Sequence, residues 1–282
     1  MADVAIGNTQ VGATKMDIIA AMVQKELKFK AVLSRYFEDV SAFAIKGAKS
    51  ITFPKLSSFS VAQRASGTMG NATVITSTGD KLDLNIPAYI AYIIDQNDNI
   101  QSVLDWDSVC AERAGAAHAR YLDEQLIAAL ATYAGVDLGI VGDITRDAVL
   151  DARASLLKAD ATMDELTLFI SVAQEKATLK IAEFTQAQIY GTSNVPTGVI
   201  GRVYGIPVVM HNGLADGQSF MAAKSGLAYG FQQGIMASEQ AANEYGSQAK
   251  RVAADQLFGI KGLQLGEKGA AVGTSPLIVS IF

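Results

Sequence analysis

The chain has 282 residues, 50% of them hydrophobic and 18% charged, a composition that excludes disorder and collagen-like fibre and suits one or two compact lobes. Its formal net charge of -5 argues against nucleic acid or an anionic membrane as the main binding surface. "MADVAIGNTQ" lacks the basic and apolar regions of a signal peptide, "IPAYIAYII" is too short to span a bilayer, and a lone cysteine cannot form an intrachain disulfide; a soluble chain kept in the reducing cytoplasm is expected.

In chain order, Thr14 and Asp17 match a capping box, and Met16, Ile19, Val23, Leu27, Leu33 and Phe37 recur near helical spacing, which predicts a long amphipathic N-terminal helix. Lys15, Lys25, Lys28, Lys30 and Arg35 ride on it, either as a solvated face or as a partner-facing stripe. From Ser50 to Asp95 the texture becomes β. Ile51, Phe53, Phe59 and Val61 form one apolar set, and Leu82, Leu84 and Ile86 alternate with Asp83 and Asn85. Pro54 sits inside the first of these strands and cannot donate to a ladder, so that strand belongs to an edge, a bulge or an arm. "RASGTMGNAT", residues 64–73, suits a loop tip, and a strand from Ser50 to Arg64 would reach on the order of 45 Å, longer than a usual globular hairpin. The pattern predicts a two-stranded arm.

Ser102 and Asp105 then cap a second long helix whose stripe, Trp106, Val109, Cys110, Ala117, Tyr121 and Ala128, runs to about Tyr133. The glycines of "YAGVDLGIVGD" break it before Thr145 opens another helix carried by Val149, Ala152, Leu156 and Leu157. "LTLFIS", residues 166–171, reads as a buried strand running into a helix capped at Ser171 and continuing through Ala173, Ala177, Ile181 and Phe184. Beyond Gly191, "VYGIPVVM", "SFMAAK", "QAKRVAADQLFGIKGLQL" and "PLIVSIF" read as short strands of a mixed sheet, and the class is α+β.

Chemistry-bearing patterns are sparse. His118 and His211 have no helix-spaced partner, Cys110 reads as a small buried hydrophobe, and neither a G-x-S-x-G elbow nor a G-x-x-x-x-G-K-[ST] loop occurs. "GVIGRVYG" leads into a strand instead of opening a helix, so its glycines are turn and packing positions, not a phosphate cradle. Asp105, Asp107 and Glu112 suit the positive end of a helix macrodipole, and Asp160, Asp164 and Glu165 would need a pocket to act as an acid/base pair. No catalytic, cofactor-binding or metal-ligating residue is expected.

The order of elements resembles the major capsid proteins of tailed bacteriophages with the Hong Kong 97-type fold. "SITFPKLSSFSVAQRASG" with "GDKLDLNIPAYIAYIIDQND" matches the extended loop, and "WDSVCAERAGAAHARYLDEQLIAAL" the spine helix. "ELTLFISVAQEKATL" is similar to the passage of the peripheral domain, and "GVIGRVYGIPVVM" with "AADQLFGIKGL" to the strands near the end of the axial domain. The resemblance implies four regions: an N-terminal arm and helix (1–48), an extended β-hairpin loop (49–95), a peripheral domain with the spine helix (96–190), and an axial domain with returning strands (191–282). It implies a subunit that self-assembles into pentamers and hexamers of an icosahedral shell around double-stranded DNA, held without sequence-specific binding. Scaffolding would come from a separate protein or not be needed, portal and decoration proteins are candidate further partners, and neither a cofactor nor a membrane is expected. The loop would lie across the adjacent subunit, making Phe53, Pro54, Lys55, Arg64 and Lys81 candidate intersubunit contacts, and Lys55 and Lys81 are available for a crosslink of the kind some relatives form. Two alternatives remain open on the sequence: an encapsulin-type compartment shell of the same fold, and a cytoplasmic α+β enzyme whose site comes from scattered residues.

Overall fold

The structure, a computed structural model, describes residues 19, 22–23, 31–56, 77–95, 106–181, 199–242, 244–245, 249–263 and 274–282. Twelve strands are present among them: β1 (Glu38–Asp39), β2 (Ser50–Leu56), β3 (Ser77–Asp83), β4 (Ile86–Ile94), β5 (Ala134–Asp137), β6 (Leu166–Ile170), β7 (Val199–Val203), β8 (Ile206–Met210), β9 (Ser219–Ala223), β10 (Leu227–Ala241), β11 (Lys250–Gly262) and β12 (Ser275–Ser280). The α-helices are α1 (Trp106–Tyr133), α2 (Arg146–Lys158) and α3 (Glu175–Leu179). They build a four-stranded sheet in the order β1-β10-β11-β4, a six-stranded sheet in the order β5-β12-β9-β6-β8-β7, and a separate ribbon of β2 and β3. The expected α+β class is present, with a 28-residue helix and a two-stranded hairpin that belongs to neither larger sheet.

α1 can serve both sheets because its buried side is lined with small residues. Ala111 and Ala114 pack with Ile19, Val23, Val252 and Ala254 under the four-stranded sheet, while Ala119, Leu122, Leu126 and Leu130 pack with Phe169, Val209, Phe220 and Ile278 of the six-stranded one. Absent side-chain bulk lets the sheet backbones approach the helix, and the leucines farther along fill the wider gap. On the other face of the six-stranded sheet, Val149, Ala152 and Leu156 of α2 meet Leu166, Leu168, Ile170, Val208 and Val279. β6 is therefore covered on both sides, which is why "LTLFI" is a continuous apolar run without alternation. As expected, Thr145 caps α2, its hydroxyl accepting from the Ala148 amide at 3.3 Å.

Two helical expectations are corrected. Ile19, Met22 and Val23 are helical, but the stripe does not continue as α-helix through Phe37: Leu33–Tyr36 form a 3-10 turn, followed by β1. Leu33 and Phe37 are buried all the same, Phe37 stacked on Phe169 with ring centroids 5.4 Å apart, so tertiary packing mimics the helical spacing. Ser171 makes no side-chain cap, and after it a 3-10 turn precedes a short α3 that ends at Leu179, before Ile181. The remaining positions of both predicted stripes, together with the caps at Thr14, Asp17, Ser102 and Asp105, lie outside the described residues. The larger sheets interleave distant chain segments: the four-stranded one takes β1, β4, β10 and β11, and the six-stranded one joins β5 and β6 to β7, β8, β9 and β12.

Candidate functional site

The arm is built from its root outward. Ile51 of β2 and Leu82 of β3 bury their side chains with Val40, Leu84, Ala228 and Leu263, and Phe53 packs against this cluster half-buried. Gly259 of β11 lets the arm sit this close, since a Cβ there would collide with the Asp83 carbonyl oxygen. From that anchor β2 and β3 pair antiparallel from Ser50↔Asp83 to Leu56↔Ser77. Among the described residues no third strand joins them. Pro54 lies opposite Gly79 and is exposed, and its missing donor is tolerated because each strand of a two-stranded ribbon has an unpaired edge.

Four of the five candidate contacts therefore share one ribbon: Phe53, Pro54 and Lys55 on β2, and Lys81 on β3 opposite Thr52. Lys81 is exposed and pairs with Asp83 at 3.2 Å within its own strand, a surface pair worth little. Arg64 and the expected tip lie outside the described residues, as does the outer part of the strand whose length was reckoned from the sequence. Beside the arm root, Phe43 and Ile45 are 67% and 72% exposed on a segment tethered by the Gln232 amide to the Ile45 and Ala48 carbonyls at 3.4 and 2.5 Å. Sequence reasoning passed over this apolar knob; its signal was "AFAI" lying between two glycine- or serine-marked turns.

Two further polar centres hold the body together. Asp123 on α1, 2% exposed, accepts from the Val32 amide at 3.1 Å, the Leu33 amide at 3.2 Å and His211 Nε2 at 3.2 Å. His211 Nδ1 accepts from the Gly213 amide at 3.0 Å, so the ring carries its proton on Nε2. Lys250 Nζ reaches both carboxylate oxygens of Asp107, at 2.6 and 2.8 Å, tying the start of α1 to β11. Asp107 is thus a structural ion-pair partner in the first turn of α1. His118 is buried with Nε2 unpartnered, and burial pushes its pKa down, so the ring is neutral. Burial likewise raises the Cys110 thiol. Glu165 accepts from the Ser225 hydroxyl at 3.0 Å, and Asp160 occupies a left-handed turn at φ 63°. "GVIGRVYG" closes as a hairpin, β7 pairing with β8 through Tyr204 and Gly205 at φ 51° and 85°. Among the described residues no group of three or more His, Cys, Asp or Glu is placed to hold a metal ion, and no helix is long and apolar enough to cross a membrane.

A body tied together by the Asp123–His211 and Asp107–Lys250 contacts, carrying a separate two-stranded ribbon and exposed apolar side chains, has the make-up of a structural subunit that completes itself against other chains. A family model for phage capsid proteins matches residues 40–255, and the chain belongs to that family. No curated protein matches it. Among solved structures it is similar to a chain of Mycobacterium phage Che8 (21% identity, 89% of this chain and 90% of that one, TM-score 0.67). It is also similar to a chain from the capsid of cyanophage P-SCSP1u (14%, 87% and 85%, 0.65) and to one from a virus-like particle of Pyrococcus furiosus (11%, 94% and 98%, 0.62). Family and fold bear out the expectation of a phage major capsid protein, a virion component that assembles with itself into an icosahedral shell.

Proposed function

We propose that the subunit forms pentamers and hexamers of a phage head enclosing double-stranded DNA, with the β2–β3 arm of each copy lying across its neighbour. Its role is mechanical and not catalytic. The observation that carries the reading is the arm, a ribbon rooted in the body by Ile51 and Leu82 that leaves it without a third strand among the described residues. In this reading the four-stranded sheet with α1 serves as the peripheral body and the six-stranded sheet with α2 as the axial one, a division by sheet that moves β6 and α2 out of the peripheral region expected as residues 96–190 and moves β10 and β11 out of the axial region expected as residues 191–282. Assembly takes place in the host cytoplasm, guided by a separate scaffolding protein and completed by portal and decoration proteins. A net charge of -5 suits a container from which DNA must later leave, because dense phosphate-gripping cations would oppose release.

Replacing residues 60–75 with a short turn tests the reading. The variant should keep the far-ultraviolet dichroism and the monomer elution volume of the parent yet form no particles by negative-stain microscopy. Intact shells from it would overturn the role of the arm. A compartment shell is the second reading, favoured by the coverage of the Pyrococcus furiosus particle chain, and enzyme-filled instead of DNA-filled particles would select it.

A further inference from the structure

Between β4 and α1 lies a groove of about 430 Å³, lined by Pro87, Tyr89, Ile90, Ala117, His118 and Tyr121. None of its walls is charged, because burial lowers the pKa of His118 and keeps the ring a neutral imidazole. Two buried polar atoms here lack partners among the described residues. His118 is 3% exposed; the Ala254 backbone engages one ring nitrogen, and Nε2 has no partner. A backbone carbonyl only accepts, so the engaged nitrogen carries the proton and Nε2 is a bare acceptor. Gln256 is 2% exposed, and its amide Nε2, a donor, is unpartnered as well. It follows Ala254 by two positions on β11, which puts both on one face of the sheet, and it stands directly opposite Ala88, a further residue of the groove wall. An acceptor and a donor taken out of water together, each without a bond, form a polar pair that lacks its bridge.

We infer that this groove is a binding site for a small neutral phenol, whose ring lies among the tyrosine, proline and isoleucine walls and whose hydroxyl donates to His118 Nε2 while accepting from the Gln256 amide. A hydroxyl does both at a single oxygen. A carboxylate or phosphate brings no donor and strands a charge against uncharged walls, and an ammonium brings no acceptor. The aromatic body is set by Tyr89 and Tyr121, whose rings favour stacked or edge-on contact with another ring. The volume falls in the range of roughly 300–1,000 Å³ usual for small-molecule sites. β4 is the last strand of its sheet, held by β11 on one side only, so a molecule touching both β4 and α1 ties that edge to the helix and stabilises the folded chain. The inference goes beyond shell formation and does not depend on where the arm lies.

The test uses the unassembled full-length chain, phenol, and anisole, in which a methyl group replaces the hydroxyl proton. Phenol should bind saturably with a dissociation constant of about 1 mM, read by saturation-transfer nuclear magnetic resonance, and should raise the thermal midpoint as its concentration rises. Anisole should bind at least about tenfold more weakly. Ala117→Trp, at an exposed position of α1, should fill the groove and abolish the phenol-dependent rise while the unliganded chain keeps its far-ultraviolet dichroism. His118→Phe keeps the ring and removes the acceptor, so it should bring phenol down to the affinity of anisole. Absence of saturable phenol binding, equal binding of phenol and anisole, or full phenol affinity in Ala117→Trp would each overturn the assignment. Should His118→Phe fail to fold, the phenol–anisole pair and Ala117→Trp decide the question on their own.

Discussion

At the scale of the residue, Asp123 joins three separate stretches of chain through one buried carboxylate. Its two oxygens receive three donors from two remote stretches of chain: the amides of Val32 and Leu33 where the N-terminal segment enters the body, and His211 at the end of β8. A charged acceptor at that depth is tolerated only because it is fully engaged, so removing it strands two amides and a ring N–H at once. Asp123→Ala should destabilise the monomer by about 3 kcal/mol, and Asp123→Asn, which keeps one carbonyl acceptor, by less. Denaturant titration of the monomer reads both, and unchanged midpoints would show that water replaces the carboxylate. None of this was legible in the sequence. Asp123 and His211 are 88 positions apart, and neither has a neighbour in the chain that hints at the other.

At the scale of the element, the arm depends on a contact made by an absent side chain. Gly259 lies near the end of β11, where any Cβ would meet the Asp83 carbonyl, a backbone group that cannot rotate away. Gly259→Ala should push the arm root off the sheet, lowering the thermal midpoint of the monomer by several degrees and abolishing shells; an assembling variant would mean that the root tolerates a shift. The arm itself was readable because Pro54, the alternation of Leu82 and Leu84, and the turn-rich residues between the strands are local signals. β10 was not, although it is the longest strand at 15 residues. Its register slips against β11 between Phe231 and Gln233 and again between Gln233 and Met236, so "LAYGFQQGIM" never settles into period two. The N-terminal helix erred in the opposite sense: Leu33 and Phe37 keep helical spacing, but Asp123 captures the amides of residues 32 and 33, where a continuing helix would need its own i-to-i−4 bonds.

At the scale of the whole molecule, the question is what opposes assembly. Each copy carries a formal charge of -5, while the knob at Phe43 and Ile45 is apolar and the candidate arm contacts join Phe53 and Pro54 to the cations Lys55, Arg64 and Lys81. Ionic attraction at those three cations is local, whereas every added subunit brings more like charge to the shell. Raising the salt from about 0.01 M to 0.15 M shortens the Debye length from roughly 30 Å to about 8 Å, which screens repulsion between subunit bodies and leaves short-range apolar burial untouched. Assembly of the purified chain, followed by light scattering, should accordingly speed up and reach a higher plateau over that range. A plateau that falls as salt rises would mean that ion pairs, not apolar burial, drive subunits together.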